Sequence, residues 1–162
     1  MPARKTLLRA VRAAALAGCA LWLTACPIGP FSGGHLGGEV QSEPVADWSF
    51  VNETETCQLE TNPDEPHSVN VWCAGYGENA YVPSSMILGP TVPTEREWIR
   101  NVQANPAVRL RVEGRVYELE AVRVTDDAEY AAVLALLEQK YEADPADREP
   151  DREIWLYRMQ AR

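Results

Sequence analysis

The chain has 162 residues, with 15 Lys and Arg against 24 Asp and Glu and a net charge of −9. This acidic balance argues against nucleic-acid binding and against adhesion to anionic lipid through a basic face. The acidic surface is best explained as a solvated one. The length suffices for one domain with its own hydrophobic core after an export segment.

The N-terminal segment has the composition of a bacterial lipoprotein signal peptide. Four basic residues and no acid precede the apolar stretch Ala13 to Trp22, which is too short to span a bilayer comfortably as a permanent helix. It ends in Leu23-Thr24-Ala25-Cys26, which resembles the lipobox of prolipoproteins. An ordinary secretory signal has no need of a cysteine at that place. We therefore expect residues 1–25 to be removed, and Cys26 to carry diacylglycerol and palmitate-type acyl chains that anchor the protein to the membrane.

Processing before Cys26 would change the net charge of the protein, and the residue after Cys26 indicates the membrane in which it is anchored. It removes four of the 15 Lys and Arg and none of the 24 Asp and Glu, so the net charge falls from −9 to −13. Pro27 follows the cysteine, where an aspartate would signal inner-membrane retention in enteric-type bacteria. We expect a lipid-anchored cell-envelope protein in the outer membrane, facing the periplasm. Residues 26–44, rich in Gly and Pro, are predicted to form a flexible tether, and residues 45–162 the folded domain.

Two cysteines, Cys57 and Cys73, remain after processing, and a pair of cysteines in an exported protein favours a disulfide. Residues 57–61 and 69–73 alternate apolar and polar positions around a Pro- and Asp-rich loop, which predicts a β-hairpin. Pairing Leu59 with Val71 would place the cysteines opposite each other. The bridge would stabilise the fold by roughly 3 kcal/mol in the chain-entropy treatment. Two buried free thiols are the alternative. No metal site is expected, since no histidine stands at ligand spacing.

The remaining pattern predicts an α+β chain whose antiparallel sheet could close on itself. Capping motifs mark two helices, since Thr94 and Glu97 form a capping box and Asp126 with Glu129 forms another helix start. The second helix has apolar residues at intervals of three and four as far as Tyr141. The expected order after the hairpin is a strand at 79–83, a loop at 84–93, a helix ending at 105–106, strands at 107–113 and 115–125, the second helix, and a strand at 154–159.

Between Tyr81 and Val124 the residues follow a family pattern. A strand ends near Ser84-Ser85, and it is followed in order by Gly89-Pro90, Pro93, Trp98, Asn101, Ala104-Asn105-Pro106, Val108, Gly114 and Ala121. This order resembles the split-barrel superfamily of the pyridoxamine-phosphate oxidases and flavin reductases, and is most similar to its deazaflavin-dependent nitroreductase branch. The resemblance implies an antiparallel split β-barrel with two helices, a homodimer, and FMN or a deazaflavin as cofactor. Its implied cofactor contacts are Ser84, Ser85, Gly89, Trp98 and Asn101.

Two functions remain open at this point. The loop 84–93 leads to a helix N-terminus, which favours an anion, but it contains no Lys or Arg to hold a cofactor phosphate. Arg96 and Arg100 are assigned to the solvated face of the helix. A flavin or deazaflavin is loaded in the cytoplasm, whereas this chain is expected to cross the membrane unfolded. The favoured function is therefore a non-catalytic envelope lipoprotein that binds a small ligand or an envelope partner. The alternative is a periplasmic flavin- or deazaflavin-dependent oxidoreductase of the nitroreductase or quinone-reductase type, with no catalytic residue assigned.

Overall fold

The computed structural model describes residues 32–162, so the predicted signal peptide and the predicted lipidation site Cys26 lie outside the described residues. Within this range, no helix is long and apolar enough to cross a membrane. The strands are β1 Glu39–Gln41, β2 Cys57–Thr61, β3 His67–Val71, β4 Ala74–Tyr76, β5 Asn79–Pro83, β6 Ala107–Val112, β7 Arg115–Arg123 and β8 Leu156–Ala161; the helices are α1 Glu97–Ala104 and α2 Asp127–Tyr141.

The strands form one curved sheet in the order β3-β2-β6-β7-β8-β5-β4. All neighbours in this order are antiparallel, whereas β1 runs parallel to the start of β7. Alternation explains which side faces the core: Val108, Leu110 and Val112 of β6 are buried, and the arginines between them are not. The predicted α+β class, an antiparallel split β-barrel with two helices, is confirmed.

The predicted hairpin forms, but its register differs by two residues from the expected one. Leu59 pairs with Val69, and Cys57 pairs with Val71. Cys73 therefore lies beyond the paired strand, and the bridge crosses diagonally with a Cα–Cα distance of 6.0 Å. The predicted disulfide is confirmed, with an S–S bond of 2.05 Å between two buried cysteines.

The first described residues form an arm along the sheet, and this part of the expected tether is not free. Gly33 forms a β-bridge with Ser68 of β3, Leu36 is fully buried, and Val40 pairs with Val116 of β7. The arm is held by Glu60, whose buried carboxylate accepts from the amide of Leu36. Residues 33–41 of the predicted tether thus lie along the sheet, attached by the buried side chain of Leu36, the carboxylate of Glu60 and the pairing of β1 with β7.

The two helices differ in how well their starts were predicted. The Oδ1 of Asp126 accepts from the amide of Glu129 at 2.8 Å, which confirms the predicted cap of α2. The capping box at Thr94 is wrong: Pro93–Glu95 forms a short 3-10 turn, and α1 begins only at Glu97 without a side-chain cap. A proline at the first position of that turn fixes its backbone and moves the start of the α-helix towards the C-terminus.

Candidate functional site

A cavity of about 380 Å³ opens between two strand ends and the first turn of α1. This size lies within the range of roughly 300–1,000 Å³ that ligand pockets occupy. Its wall is mostly apolar. The lining residues are Val69, Asn70 and Val71 of β3, Trp72, Pro83 at the end of β5, Ser84 to Leu88 of the following loop, Arg96 and Trp98.

Two tryptophans form rigid parts of this wall, and each packs against a tyrosine. Trp72 stacks on Tyr141 of α2 with ring centroids 4.3 Å apart and planes only 4° from parallel. Trp98 meets Tyr157 of β8 edge to face at 5.3 Å. Burial raises the pKa of both tyrosines, so neither phenol ionises in the neutral range. The cavity therefore presents flat apolar surfaces whose positions are fixed by packing.

The backbone that carries Trp72 is fixed by its neighbour Cys73. The amide of Cys73 donates to the phenol oxygen of Tyr141 at 2.9 Å, and its carbonyl accepts from Lys140 Nζ at 2.6 Å. Burial lowers the pKa of Lys140 to about 8. Together with the bond to Cys57, these contacts attach one cavity wall to both the sheet and α2.

Ser84 and Ser85, both predicted as cofactor contacts, line the cavity but have different partners. The amide of Ser84 donates to the carbonyl of Trp155 at 2.7 Å, and its Oγ accepts from the amide of Trp155 at 2.9 Å. Ser84 thus attaches the loop to the chain just before β8. Ser85 Oγ accepts from Arg96 Nη2 at 3.0 Å and from Arg152 Nη1 at 2.9 Å.

The loop therefore has two guanidinium groups beside it, although it contains no basic residue of its own. Arg152 also donates to the carbonyls of Pro90 and Gly89, at 3.0 and 3.1 Å, and its side chain is only 1% exposed. Its only acidic partner among the described residues is Glu149, which is itself exposed. This arrangement leaves excess positive charge at one end of the cavity.

Arg96 corrects the sequence assignment of a solvated helix face. It precedes α1 instead of lying on it, and its side chain turns into the cavity. Burial lowers the pKa of Arg96, and the charge of Arg152 lowers it further. Its Nε is buried without a hydrogen-bond partner. Arg100, in contrast, is exposed and donates to the carbonyls of Thr94 and Glu95, as a surface residue does.

Of the other predicted cofactor contacts, Gly89 lies beside Arg96 and Asn101 lies away from the cavity. Gly89 adopts a positive φ of 89°, and a Cβ there would collide with Nη2 of Arg96. Gly89 thus makes room for the arginine without lining the cavity. Asn101 is outside the cavity lining, since its Nδ2 donates to Oγ1 of Thr61 at 3.0 Å and so attaches α1 to β2. Trp98 is the third predicted residue, after Ser84 and Ser85, that the cavity contains.

Arg152 is the main site residue that the sequence did not indicate. It stands in a polar segment 67 positions after Ser85, and it follows no motif. Only the fold brings the two together. Neither histidine lines the cavity: His35 lies against Glu60 and His67 near Glu97. In residues 32–162 no group of His, Cys, Asp and Glu could hold a metal ion.

Two solved structures are similar to this chain. HutZ, the heme storage protein from Vibrio cholerae, is 21% identical with a TM-score of 0.50, over 70% of this chain and 85% of that one. At this identity the likeness to HutZ is one of fold alone. An F420 reductase is 20% identical with a TM-score of 0.48, over 73% of this chain and 94% of that one.

No curated protein matches the chain. Residues 68–157, more than half of the sequence, match a protein family described as F420H(2)-dependent quinone reductase. This range includes Ser84, Ser85, Arg96, Trp98 and Arg152. The family implies a deazaflavin cofactor for its members. The chain belongs to the F420H(2)-dependent quinone reductase family.

Proposed function

We propose that the domain is a deazaflavin-dependent reductase and that the cavity is its cofactor and substrate site. The observation that carries this proposal is the pairing of flat apolar walls with the guanidinium of Arg96, which lines the cavity and shares the Oγ of Ser85 with Arg152. Two cations on one neutral hydroxyl favour an anionic group bound beside them. The family to which the chain belongs supports the choice of cofactor.

The residues present fit a group that joins a flat ring system to an acidic chain. Trp72 and Trp98 would bound the ring, since aromatic walls exclude water and restrict its orientation. Arg96 would hold a phosphate or carboxylate oxygen, and the charge of Arg152 would add to the attraction. When bound, a reduced deazaflavin supplies a hydride to an acceptor such as a quinone. The wall residues then determine which acceptors reach the ring.

We also propose that the domain works outside the cytoplasm, attached through lipid on Cys26 to the outer membrane. The Cys57–Cys73 bridge supports an exported location, because disulfides persist in oxidising compartments. The test is the mass of the mature protein and its labelling with palmitate. A Cys26→Ser variant should lose the label and leave the membrane fraction. An unprocessed N-terminus in the wild-type protein would refute the anchor.

The cofactor proposal is tested by titrating the purified mature protein with coenzyme F420 and, separately, with FMN. We expect saturable binding of F420. The Arg96→Gln variant should bind it about tenfold more weakly, the loss expected for one charge-assisted hydrogen bond. Arg100→Gln is the matched control, since Arg100 lies four positions later, on the exposed face of α1. Equal losses in both variants, or binding of neither F420 nor FMN by the wild type, would refute the site.

Turnover separates this proposal from the non-catalytic alternative. The protein should oxidise reduced F420 in the presence of a water-soluble quinone, at a rate that follows occupancy of the cavity. Binding of F420 without any turnover, across quinones of different size, would favour a non-catalytic binding module instead. Binding of FMN alone would keep the cavity as the site and change the cofactor.

A further inference from the structure

The loop that lines one side of the cavity carries exposed apolar side chains. Leu88, which belongs to the lining, is 81% exposed, and Val92 on the same loop is 46% exposed. Ile87, which also belongs to the lining, is half-buried. We call Ile87, Leu88 and Val92 the apolar lip. A single exposed leucine is ordinary on a protein surface, but a group of apolar side chains at the entrance of a cavity favours an apolar contact.

The path of the arm indicates which apolar surface the lip contacts. Gly33 exchanges two backbone hydrogen bonds with Ser68, from its amide at 2.7 Å and to its carbonyl at 2.9 Å. Ser68 directly precedes Val69, Asn70 and Val71, the β3 residues that line the cavity. The described chain therefore begins at the outer edge of a cavity wall.

Chain length then limits how far the lipid can be from the cavity. Seven residue steps separate Cys26 from Gly33, and an extended chain spans at most about 3.3–3.6 Å per residue, or roughly 25 Å in total. The arm cannot release more length, because Arg109 donates to the carbonyl of Leu36 at 2.9 Å and Glu60 binds its amide. A lipid on Cys26 thus holds β3 within about 25 Å of the bilayer.

We propose that the apolar lip rests on the surface of the bilayer that holds the lipid, so that the cavity opens towards the membrane. The inference rests on the proposed anchor, and its substrate class rests on the proposed function. The acceptor is then a lipid-soluble quinone that enters the cavity from the membrane. Tethering makes a weak apolar contact effective, since it raises the local concentration of the lip at the surface. Because the chain has a net negative charge, attraction to anionic lipid does not contribute to this contact.

Site-directed spin labels on the full lipidated protein test the docking without any cofactor. One label replaces Val92 and the other Val40, a valine of nearly equal exposure at 49% that lies on β1 beside β7, three strands from β3. On phosphatidylcholine vesicles we expect the Val92→Cys label to gain contact with dissolved oxygen and to lose contact with a water-soluble nickel chelate, each by severalfold. The Val40→Cys label should not change.

Each other outcome overturns the proposal. Equal accessibility at the two positions on vesicles means that the lip does not touch the membrane. Protection of Val92→Cys that depends on protein concentration, with or without vesicles, assigns the lip to a second copy of the chain. If an unlipidated Cys26→Ser protein docks equally well at the same vesicle concentration, the lipid and the arm do not hold the lip at the membrane.

Entry of a lipid-soluble quinone from the membrane is tested separately, by comparing the reduction rates of two quinones. Val92→Asp should slow reduction of a long-chain quinone dissolved in the vesicles about tenfold, while reduction of a short water-soluble quinone stays unchanged. Val40→Asp is the control and should affect neither. Equal rates for Val92→Asp and wild type with the membrane quinone would refute entry from the bilayer. If no quinone is reduced while the label at position 92 reports membrane contact, the proposed reductase function fails and the docking stands.

Discussion

Arg96 and Arg152 both donate to one oxygen, the Oγ of Ser85, at 3.0 and 2.9 Å. Ser85 in turn donates its own proton to the carbonyl of Leu88. Two cations thus meet on a neutral hydroxyl whose hydrogen-bonding capacity is full. Because like charges repel and burial weakens solvent screening, the pair gains most from an anion placed near it.

Ser85→Ala should separate the structural and the binding parts of this arrangement. Removing the hydroxyl leaves two buried guanidinium donors without their shared acceptor, which costs about 1–3 kcal/mol of unfolding free energy. Added phosphate should recover more stability in the variant than in the wild type, since an anion can occupy the vacated acceptor position. Denaturant unfolding with and without phosphate measures both effects. Equal phosphate stabilisation in the two proteins would contradict the prediction.

Gly89→Ala tests whether the loop makes room for Arg96. Both Gly89 and Gly77 have positive φ angles, 89° and 59°, so alanine strains either backbone by about 1 kcal/mol. Only at Gly89 would the new Cβ collide with the guanidinium, because nothing lies within 4 Å of a Cβ at Gly77. We expect similar losses of stability and a loss of F420 affinity in Gly89→Ala alone. A parallel loss of affinity in Gly77→Ala would show that strain, not displacement of Arg96, is responsible.

Reduction of the Cys57–Cys73 bond should lower the unfolding free energy by roughly 3 kcal/mol, the loop-closure term for a separation of 16 residues. It should also loosen Trp72, whose neighbour is Cys73, so near-ultraviolet circular dichroism should change before unfolding begins. The double variant Cys57→Ala/Cys73→Ala is the control, because reductant cannot affect it. An unchanged unfolding midpoint of the wild type in reductant would count against the bridge as a stabilising element.

Glu60→Ala should detach the arm from the sheet. The carboxylate is buried, lies 3.4 Å from Arg109 and accepts from the amide of Leu36. Removing the carboxylate takes the buried partner from Arg109 and the acceptor from the amide of Leu36, at a loss of about 3 kcal/mol. Hydrogen exchange of residues 33–41 should rise together with their cleavage by proteases. Glu118→Ala is the control: Glu118 pairs with the same arginine at 3.9 Å, but it is 54% exposed, so its removal should change little.

Alkaline pH should destabilise the fold through Tyr81. Burial raises its pKa above the ordinary value of 10, and the hydrogen bond that its phenol donates to Glu129 at 2.7 Å raises it further. A phenol whose folded-state pKa is raised contributes stability below pH 10, and this contribution is lost as pH rises from 10 towards the folded-state pKa. Tyr81→Phe should show a shallower decline of unfolding free energy above pH 10. Identical slopes in the two proteins would exclude this phenol as the cause.

Local pattern sufficed for the longer elements, but it predicted neither β1 nor β4, and it did not determine the register of the hairpin. The hairpin around residues 62–66 and helix α2 have periodic apolar residues, and both form. The error at Leu59, which pairs with Val69 and not Val71, is a shift of two residues. Since side chains alternate with a period of two, such a shift keeps every side chain on its own face, and hydrophobic pattern cannot detect it. Turn geometry decides it instead.

The candidate site was predictable only where its residues are close in sequence. Ser84, Ser85 and Trp98 stand in one motif, and the cavity contains all three. Asn101 belongs to the same motif and does not reach the cavity, because its amide is bound by Thr61. Arg152 comes from a segment with no periodic signal, and Arg96 changes its role because α1 begins one residue after it. Long-range placement of charges depends on the fold and leaves no mark in composition.

The arm has a consequence for the order in which the protein folds. It is made long before its partners Arg109 and Val116, which stand more than 70 positions later in the chain. Contacts of such sequence separation form late, since the loop between them must close first. The end of the domain nearest the proposed lipid therefore remains unattached until β6 and β7 have paired. During that interval the segment 33–41 is exposed to solvent, and afterwards it is part of the sheet.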